Sequence, residues 1–418
     1  MALIDDFFGR RTASRLLVVT PYAGREHPQR RDEFIGLCEA ADFETVGITA
    51  VHVRDPHPGT FFRGGAIERI NEHIVASGAD LVAVDHALTP VQQRQLERSL
   101  GRGVLDRPAI ILTIFGRRAR SRAGRLQVAV AQHQYLLPRL KGMWHHFDRE
   151  RGGIGQRGAG EKQLELDRRM IEQQLKKLRR ELHTVRRTRH LHRHRRKRRR
   201  VPQVAVVGYT NAGKSTLIGR LADRDIFARD MPFATLDPLT RRVQLKDRTE
   251  FLITDTVGFV QDLPVSLIEA FKSTLEETLE ADILLHVADL SAPDVAKQIA
   301  TTEEVLDSLG VGRELPVCYV LNKTDLCRTR PAALADRLRR QPYALTSVTR
   351  DEGLDAVAAW LRKRVLEAKQ LVRVRIPLDR PDVIARAEHR ADGPGKWGQA
   401  AVEYDVPAES ALATEWAV

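Results

Sequence analysis

Gly208-Tyr209-Thr210-Asn211-Ala212-Gly213-Lys214-Ser215 fit the spacing G-x-x-x-x-G-K-[ST], which suits the cradling of a polyphosphate. Gly208 and Gly213 let bare backbone approach phosphate, and the N–H groups of the loop, through Thr216, converge on the anion. Lys214 carries charge to the β- and γ-phosphates, and Ser215 offers a hydroxyl to Mg²⁺. The apolar run Val204–Val207 precedes the loop as a buried strand would, and Thr216-Leu217-Ile218 opens a helix.

Further motifs follow in a fixed order, each after an apolar run. Asp255-Thr256-Val257-Gly258 follows Phe251-Leu252-Ile253, so Asp255 is a second Mg²⁺ candidate and the Gly258 N–H a γ-phosphate contact. Asn322-Lys323-Thr324-Asp325 follows Val317–Leu321. The Asp325 carboxylate can accept from both N1–H and the 2-amino group of guanine, a donor pair adenine lacks, so the substrate expected is GTP rather than ATP. Asn322 is expected to tie this loop to the phosphate loop. Ser347 and Val348, after Tyr343-Ala344-Leu345, are the candidate last base-contacting loop. Thr235 is the candidate switch threonine, a third Mg²⁺ ligand present only with the γ-phosphate, and Thr240 competes for that role. Lys214, Thr235 and Gly258 would act on the reacting phosphate. Phe259 stands where a water-orienting glutamine would help, so slow unaided hydrolysis is expected. Asn211 raises K⁺ as a second, charge-neutralising ion.

The rest of the chain must position this site. At 418 residues it has room for two to four domains, and its hydrophobic fraction of 42% supports buried cores. Leu16–Val19, Thr45–Ile48 and Leu81–Val84 read as strands alternating with helices near 30–41, 66–77 and 90–100, the grammar of a parallel α/β domain over 1–117. Asp85 and His86 lie at a strand end, where they would either meet a ligand or, more simply, cap the next turn. A helical hairpin arm is expected over 118–200. One apolar seam runs from Leu126 to Phe147, interrupted by Pro138, and a second runs from Leu164 to Val185. Between them, 151–161 holds five glycines and two arginines, Arg151 and Arg157, and reads as a loop at the hairpin tip. The nucleotide domain would span 201–368. A small unit with strands near 372–377 and 400–406 would close the chain over 369–418.

Net charge is +13, and it is concentrated. Lys176–Arg200 holds fourteen Lys/Arg against one Glu, as much as the whole excess. It includes Arg193, Arg195, Arg196, Lys197, Arg198, Arg199 and Arg200, and it points to a polyanionic partner met at one place, RNA being the natural reading. Cys38, Cys318 and Cys327 have no metal or redox spacing and read as reduced thiols of a cytoplasmic protein. No apolar run spans a membrane, so any membrane association would be peripheral.

The phosphate loop, Phe233-Ala234-Thr235-Leu236-Asp237-Pro238, Asp255–Phe259, the stretch Arg151–Gly155 with Gly158, Gly160, Glu161, Gln163, Glu165 and Asp167–Arg169, and also Asp85-His86-Ala87-Leu88-Thr89-Pro90 and Tyr135–Leu140, together resemble the HflX family of translational GTPases. The resemblance covers roughly 15–364. It implies a monomeric GTPase that binds the large ribosomal subunit and its RNA and, loaded with GTP, splits stalled or idle ribosomes under stress. The glycine-rich tip would reach toward the peptidyl transferase region, and the ribosome would stimulate hydrolysis. A non-splitting assembly or dormancy factor is the alternative. Thr113 stands where the family usually has aspartate, and Gly65-Ala66 where it usually has Gly-Lys.

Overall fold

The structure is a computed structural model. It describes residues 14–140, 157–197, 201–222, 232–233, 239–247, 249–262, 281–311, 315–327, 334, 338–339, 341–391, 395–407 and 410–418, with side chains left aside at 157–164, 186–197 and 411. The chain divides into two compact units, one comprising 1–189, 230–237 and 262–273, the other 190–229, 238–261 and 274–418.

In the first unit, β1 (Arg15–Tyr22), β2 (Glu44–His52), β3 (Leu81–Val84) and β4 (Gly103–Asp106) form a parallel sheet in the order β2-β1-β3-β4. Helices α1 (Pro28–Ala40), α2 (Gly64–Ser77) and α3 (Pro90–Leu100) alternate with the strands as the apolar pattern requires. All of β3 is buried, as expected for a central strand covered on both faces. Thr89 and Gln92 form a reciprocal capping box at the start of α3. Strand β4 and the following α4 (Arg107–Arg118), absent from the sequence reading, complete the sheet. Asp106 caps α4 by accepting from Ala109 N at 2.9 Å.

Helix α5 (Arg122–Leu136) gives way at Leu137–Arg139 to a 3₁₀ turn carrying Pro138, the break expected there. Helix α6 (Arg157–Lys197) runs for 41 residues, roughly 60 Å at 1.5 Å per residue. The two run antiparallel: Arg122 meets Glu181 at 3.8 Å, and His133 Nε2 lies 3.0 Å from Gln174 Oε1. Ile171, Leu175 and Leu182 are buried on the seam of α6, while Arg168 is exposed. One expectation is corrected. Arg157, Gly158 and Gly160 lie in the first turn of α6, not in a loop. A glycine costs a helix only about 1 kcal/mol, and the thirty-odd residues that follow hold neither Gly nor Pro. Arg151 lies outside the described residues.

The second unit is a six-stranded sheet in the order β10-β9-β8-β5-β7-β6. Its strands are β5 (Gln203–Gly208), β6 (Leu239–Gln244), β7 (Glu250–Asp255), β8 (Ile283–Asp289), β9 (Val317–Asn322) and β10 (Tyr343–Leu345). All neighbours are parallel except β6 with β7. Helix α7 (Lys214–Leu221) leaves β5, and α8 (Val295–Leu309) and α9 (Leu354–Ala368) are the other long helices described here. The core joins Val204, Val206, Leu217, Ile253, Leu285 and Val320 with Val357 and Leu361 of α9. Beyond it, β11 (Leu371–Pro377), β12 (Lys396–Trp397) and β13 (Ala401–Pro407) form an antiparallel sheet in the order β11-β13-β12, with α10 (Pro381–Arg390) and α11 (Ala411–Trp416).

Candidate functional site

Strand β5 ends in the phosphate loop, and two glycines set the loop's path. Gly208 has φ +148, and a Cβ there would lie 2.0 Å from the Val287 carbonyl oxygen of β8. Gly213 has φ +94, and a Cβ there would lie 2.3 Å from Asn322 Nδ2. Both positions demand a residue without a side chain. Asn211 also has positive φ, at 61, which asparagine tolerates better than most residues.

Lys214 is buried, and its ammonium donates to the carbonyls of Gly208 at 3.1 Å and Tyr209 at 2.8 Å. Burial pushes its pKa down to about 8, while the Asp255 carboxylate opposes that shift. Asp255, at the end of β7, accepts from the Ser215 hydroxyl at 2.6 Å. That contact brings together the hydroxyl and carboxylate expected to share a divalent cation. Among the described residues no group of three or more His, Cys, Asp or Glu could hold a metal by itself. One hydroxyl and one carboxylate, both oxygen donors, suit Mg²⁺ bound otherwise through phosphate and water. Thr256 is fully buried and donates to Val206 O at 2.7 Å. Gly258 faces the loop: a Cβ built on it would lie 3.0 Å from Lys214 Nζ.

A second cluster forms where β9 and β10 end beside the phosphate loop. Asn322 Nδ2 donates to Ala212 O at 3.0 Å, and its Oδ1 accepts from Val348 N at 3.1 Å. Asp325 Oδ1 accepts from the Ser347 hydroxyl at 2.7 Å. This hydrogen bond, with Arg350 at 3.7 Å, holds the Asp325 carboxyl below the usual carboxylate range. Lys323, at φ 62, pairs with Asp289 at 2.8 Å. The structure thus gathers Asn322, Lys323, Asp325, Ser347 and Val348 from two loops. Thr235 lies outside the described residues. Thr240 sits on β6 with its hydroxyl 3.0 Å from that of Thr254.

Other contacts escaped the sequence. Phe259 is buried and forms an isolated parallel bridge with Tyr209. Gln261 N donates to the Tyr209 hydroxyl at 2.7 Å. Thr346 donates to Asn322 Oδ1 at 3.4 Å. In the first unit, the turn after β3 is capped by a residue other than Asp85. Asp85 is buried against Arg107 at 2.7 Å and Arg30 at 2.8 Å, and Asp106 supplies the turn's cap by accepting from Leu88 N at 3.2 Å.

A phosphate loop on a parallel strand, a carboxylate at the end of the neighbouring strand, and an Asn-Lys-x-Asp loop beside them define a P-loop GTPase. Three family descriptions match the chain: GTP-binding GTPase N-terminal over residues 29–116, GTP-binding GTPase Middle Region over 118–196, and 50S ribosome-binding GTPase over 203–323. The chain belongs to the HflX family of GTPases. It is 40% identical over 365 residues to GTPase HflX of Magnetococcus marinus, covering 87% of this chain and 84% of that protein. To GTPase HflX of Escherichia coli it is 42% identical over 294 residues, 70% of this chain and 69% of that one. Among solved structures, a GTP-binding protein of Sulfolobus solfataricus in complex with GDP aligns over 85% of this chain and 98% of its own, at 19% identity and a TM-score of 0.46. The reaction is hydrolysis of GTP to GDP and phosphate. No described helix is long and apolar enough to cross a membrane.

Proposed function

We propose that this GTPase docks on the large ribosomal subunit in its GTP-bound form, separates the subunits of stalled or idle ribosomes under stress, and leaves on hydrolysis. The observation that carries this reading is the continuity of α6. One 41-residue helix buries an apolar seam in its middle, and its C-terminal part holds the arginine run that precedes β5 and the phosphate loop in sequence. Arg193, Arg195, Arg196 and Lys197 lie on this helix, with Arg198–Arg200 just beyond it in sequence. With Arg151 and Arg157 they are the proposed RNA contacts, made to phosphate rather than to base.

In the nucleotide site, the loop 208–216 would hold the phosphates. Ser215, Asp255 and Thr235 would hold Mg²⁺, which when bound neutralises charge building on the phosphate oxygens. Lys214 would face the β- and γ-phosphates. Asp325, kept ionised, would read the guanine edge, with Ser347 and Val348 completing the base pocket. Asn211 is the proposed contact for K⁺. Phe259 cannot orient water, so hydrolysis by the protein alone would be slow and the ribosome would supply what is missing.

The test is the GTP hydrolysis rate with and without purified large subunits across a salt series, beside sedimentation of whole ribosomes with protein and a non-hydrolysable GTP analogue. Strong stimulation that falls steeply with salt, together with release of free subunits, is expected. Co-migration with intact ribosomes without release would favour an assembly or dormancy factor. Rates indifferent to ribosomes would overturn the docking.

A further inference from the structure

Three hydrogen bonds close the segment after Asp255 onto the phosphate loop. Phe259 N donates to Gly208 O at 3.1 Å, and Thr210 N donates to Phe259 O at 2.7 Å. Both run between main chains and are open to many sequences. The third uses a side chain: Gln261 N donates to the Tyr209 hydroxyl at 2.7 Å. Tyr209 and Phe259 are both buried.

This closure leaves little room at the place where a third phosphoryl group belongs. A Cβ on Gly258 would lie 3.0 Å from Lys214 Nζ and 2.9 Å from Thr210 Cα. A carbon–carbon bond is about 1.5 Å, so Gly258 Cα stands no more than about 4.5 Å from the ammonium nitrogen. A phosphoryl group held by the ammonium through one oxygen and by the Gly258 N–H through another spans two charge-assisted bonds of about 2.8 Å and the width of the group between them. Held in that way, a γ-phosphate requires Gly258 to move back, together with Phe259 and Gln261 beyond it in the chain. A diphosphate places nothing between Lys214 and Gly258 and leaves the closure intact.

We propose that the Tyr209 hydroxyl is a latch that holds 258–261 on the phosphate loop and so sets how strongly the protein prefers GDP over GTP. It is a positioning residue, acting on the triphosphate only through the Gln261 backbone. Each bond that must break before the γ-phosphate binds lowers the competent fraction and weakens the apparent affinity for GTP alone. The inference rests on the assignment of 208–216 as the nucleotide site.

The test measures Kd for GDP and for a non-hydrolysable GTP analogue, with Mg²⁺, for the full chain and for Tyr209→Phe, which deletes the hydroxyl and keeps the ring. The ratio of the GTP-analogue Kd to the GDP Kd is expected to fall about threefold to tenfold in the variant, what one hydrogen bond is worth. A ratio unchanged within twofold, or shifted toward GDP, overturns the latch. So does loss of GDP binding in the variant, which would assign the hydroxyl to the loop's own integrity. If the unmodified chain binds neither nucleotide, the site assignment itself fails, an outcome distinct from the others.

Discussion

Asn322 Nδ2 donates to Ala212 O at 3.0 Å, a bond that joins the end of β9 to the phosphate loop across 110 residues of chain. The same side chain accepts from Val348 N at 3.1 Å, so one amide holds three segments together. Gly213 must be glycine partly because Asn322 stands where its Cβ would be. Asn322→Ala removes donor and acceptor at once and leaves a buried carbonyl and a buried N–H without this partner. The expected loss is about 2 kcal/mol of unfolding free energy, with a nucleotide affinity at least tenfold weaker. Denaturant unfolding and a fluorescent-GDP titration would check both. An unchanged affinity would show that the phosphate loop keeps its shape unaided.

Asp325 makes a sharper prediction, because its partner is a base edge. Guanine offers two donors to a carboxylate, whereas xanthine offers N1–H and a 2-oxo acceptor. Asp325→Asn presents one acceptor and one donor, so it should lose GTP and gain XTP, with a specificity change of at least a hundredfold. The Ser347 hydroxyl now donates to Asp325 and holds its carboxyl below the usual range. Guanine affinity is therefore expected to persist below the ordinary carboxylate pKa and to be lost only as pH falls through the lowered value. Competition between GTP and XTP for a labelled nucleotide would decide it.

Which features the sequence disclosed follows from how each is built. The phosphate loop, Asp255, Asn322 and Asp325 are legible because each needs one residue type at one distance from an apolar strand. The seam of α6 is legible because burial repeats at helical spacing. Strand β4 and helix α4 were not, because 108–115 is buried throughout and shows no polar face to set a period. The tip was misread because Gly158 and Gly160 weigh heavily in composition yet cost little against a long helix. The Tyr209 latch could not be read at all. Its partner is a backbone N–H, and every residue type but proline carries one.

The buried ion pairs of the first unit yield a stability prediction. Arg107 is 1% exposed and binds Asp85, itself 1% exposed, as well as Glu33. Arg107→Ala leaves Asp85 buried with only part of its compensation, so it should cost about 3 kcal/mol, and lysine should not restore the forked contact. Cys38 supplies a local readout. It is fully buried, and that burial, with the Asp85 charge nearby, pushes its thiol pKa up. Native Cys38 should resist alkylation, and Arg107→Ala should expose it at a rate set by unfolding. Rapid labelling of Cys38 in the unmodified protein would contradict the packing.

Lys214 links the site to pH. Burial lowers its pKa to about 8, while in an unfolded chain it sits near 10.5. The unfolded state therefore binds more protons between these values, so this lysine penalises folding fully below pH 8 and the penalty fades as pH rises toward 10.5. Relative to Lys214→Met, the nucleotide-free protein should gain up to about 3 kcal/mol of stability over that window. Phosphate reverses the balance, because the ammonium gains an anionic partner and its pKa rises. GDP binding should then take up close to one proton at pH 9 and almost none at pH 7, and affinity should weaken above pH 8 as the ammonium must first be reprotonated. Calorimetry at pH 9 in two buffers of different ionisation enthalpy measures that proton directly. Equal apparent heats in both buffers would mean that Lys214 is already charged in the free loop and that its burial has been offset by another group.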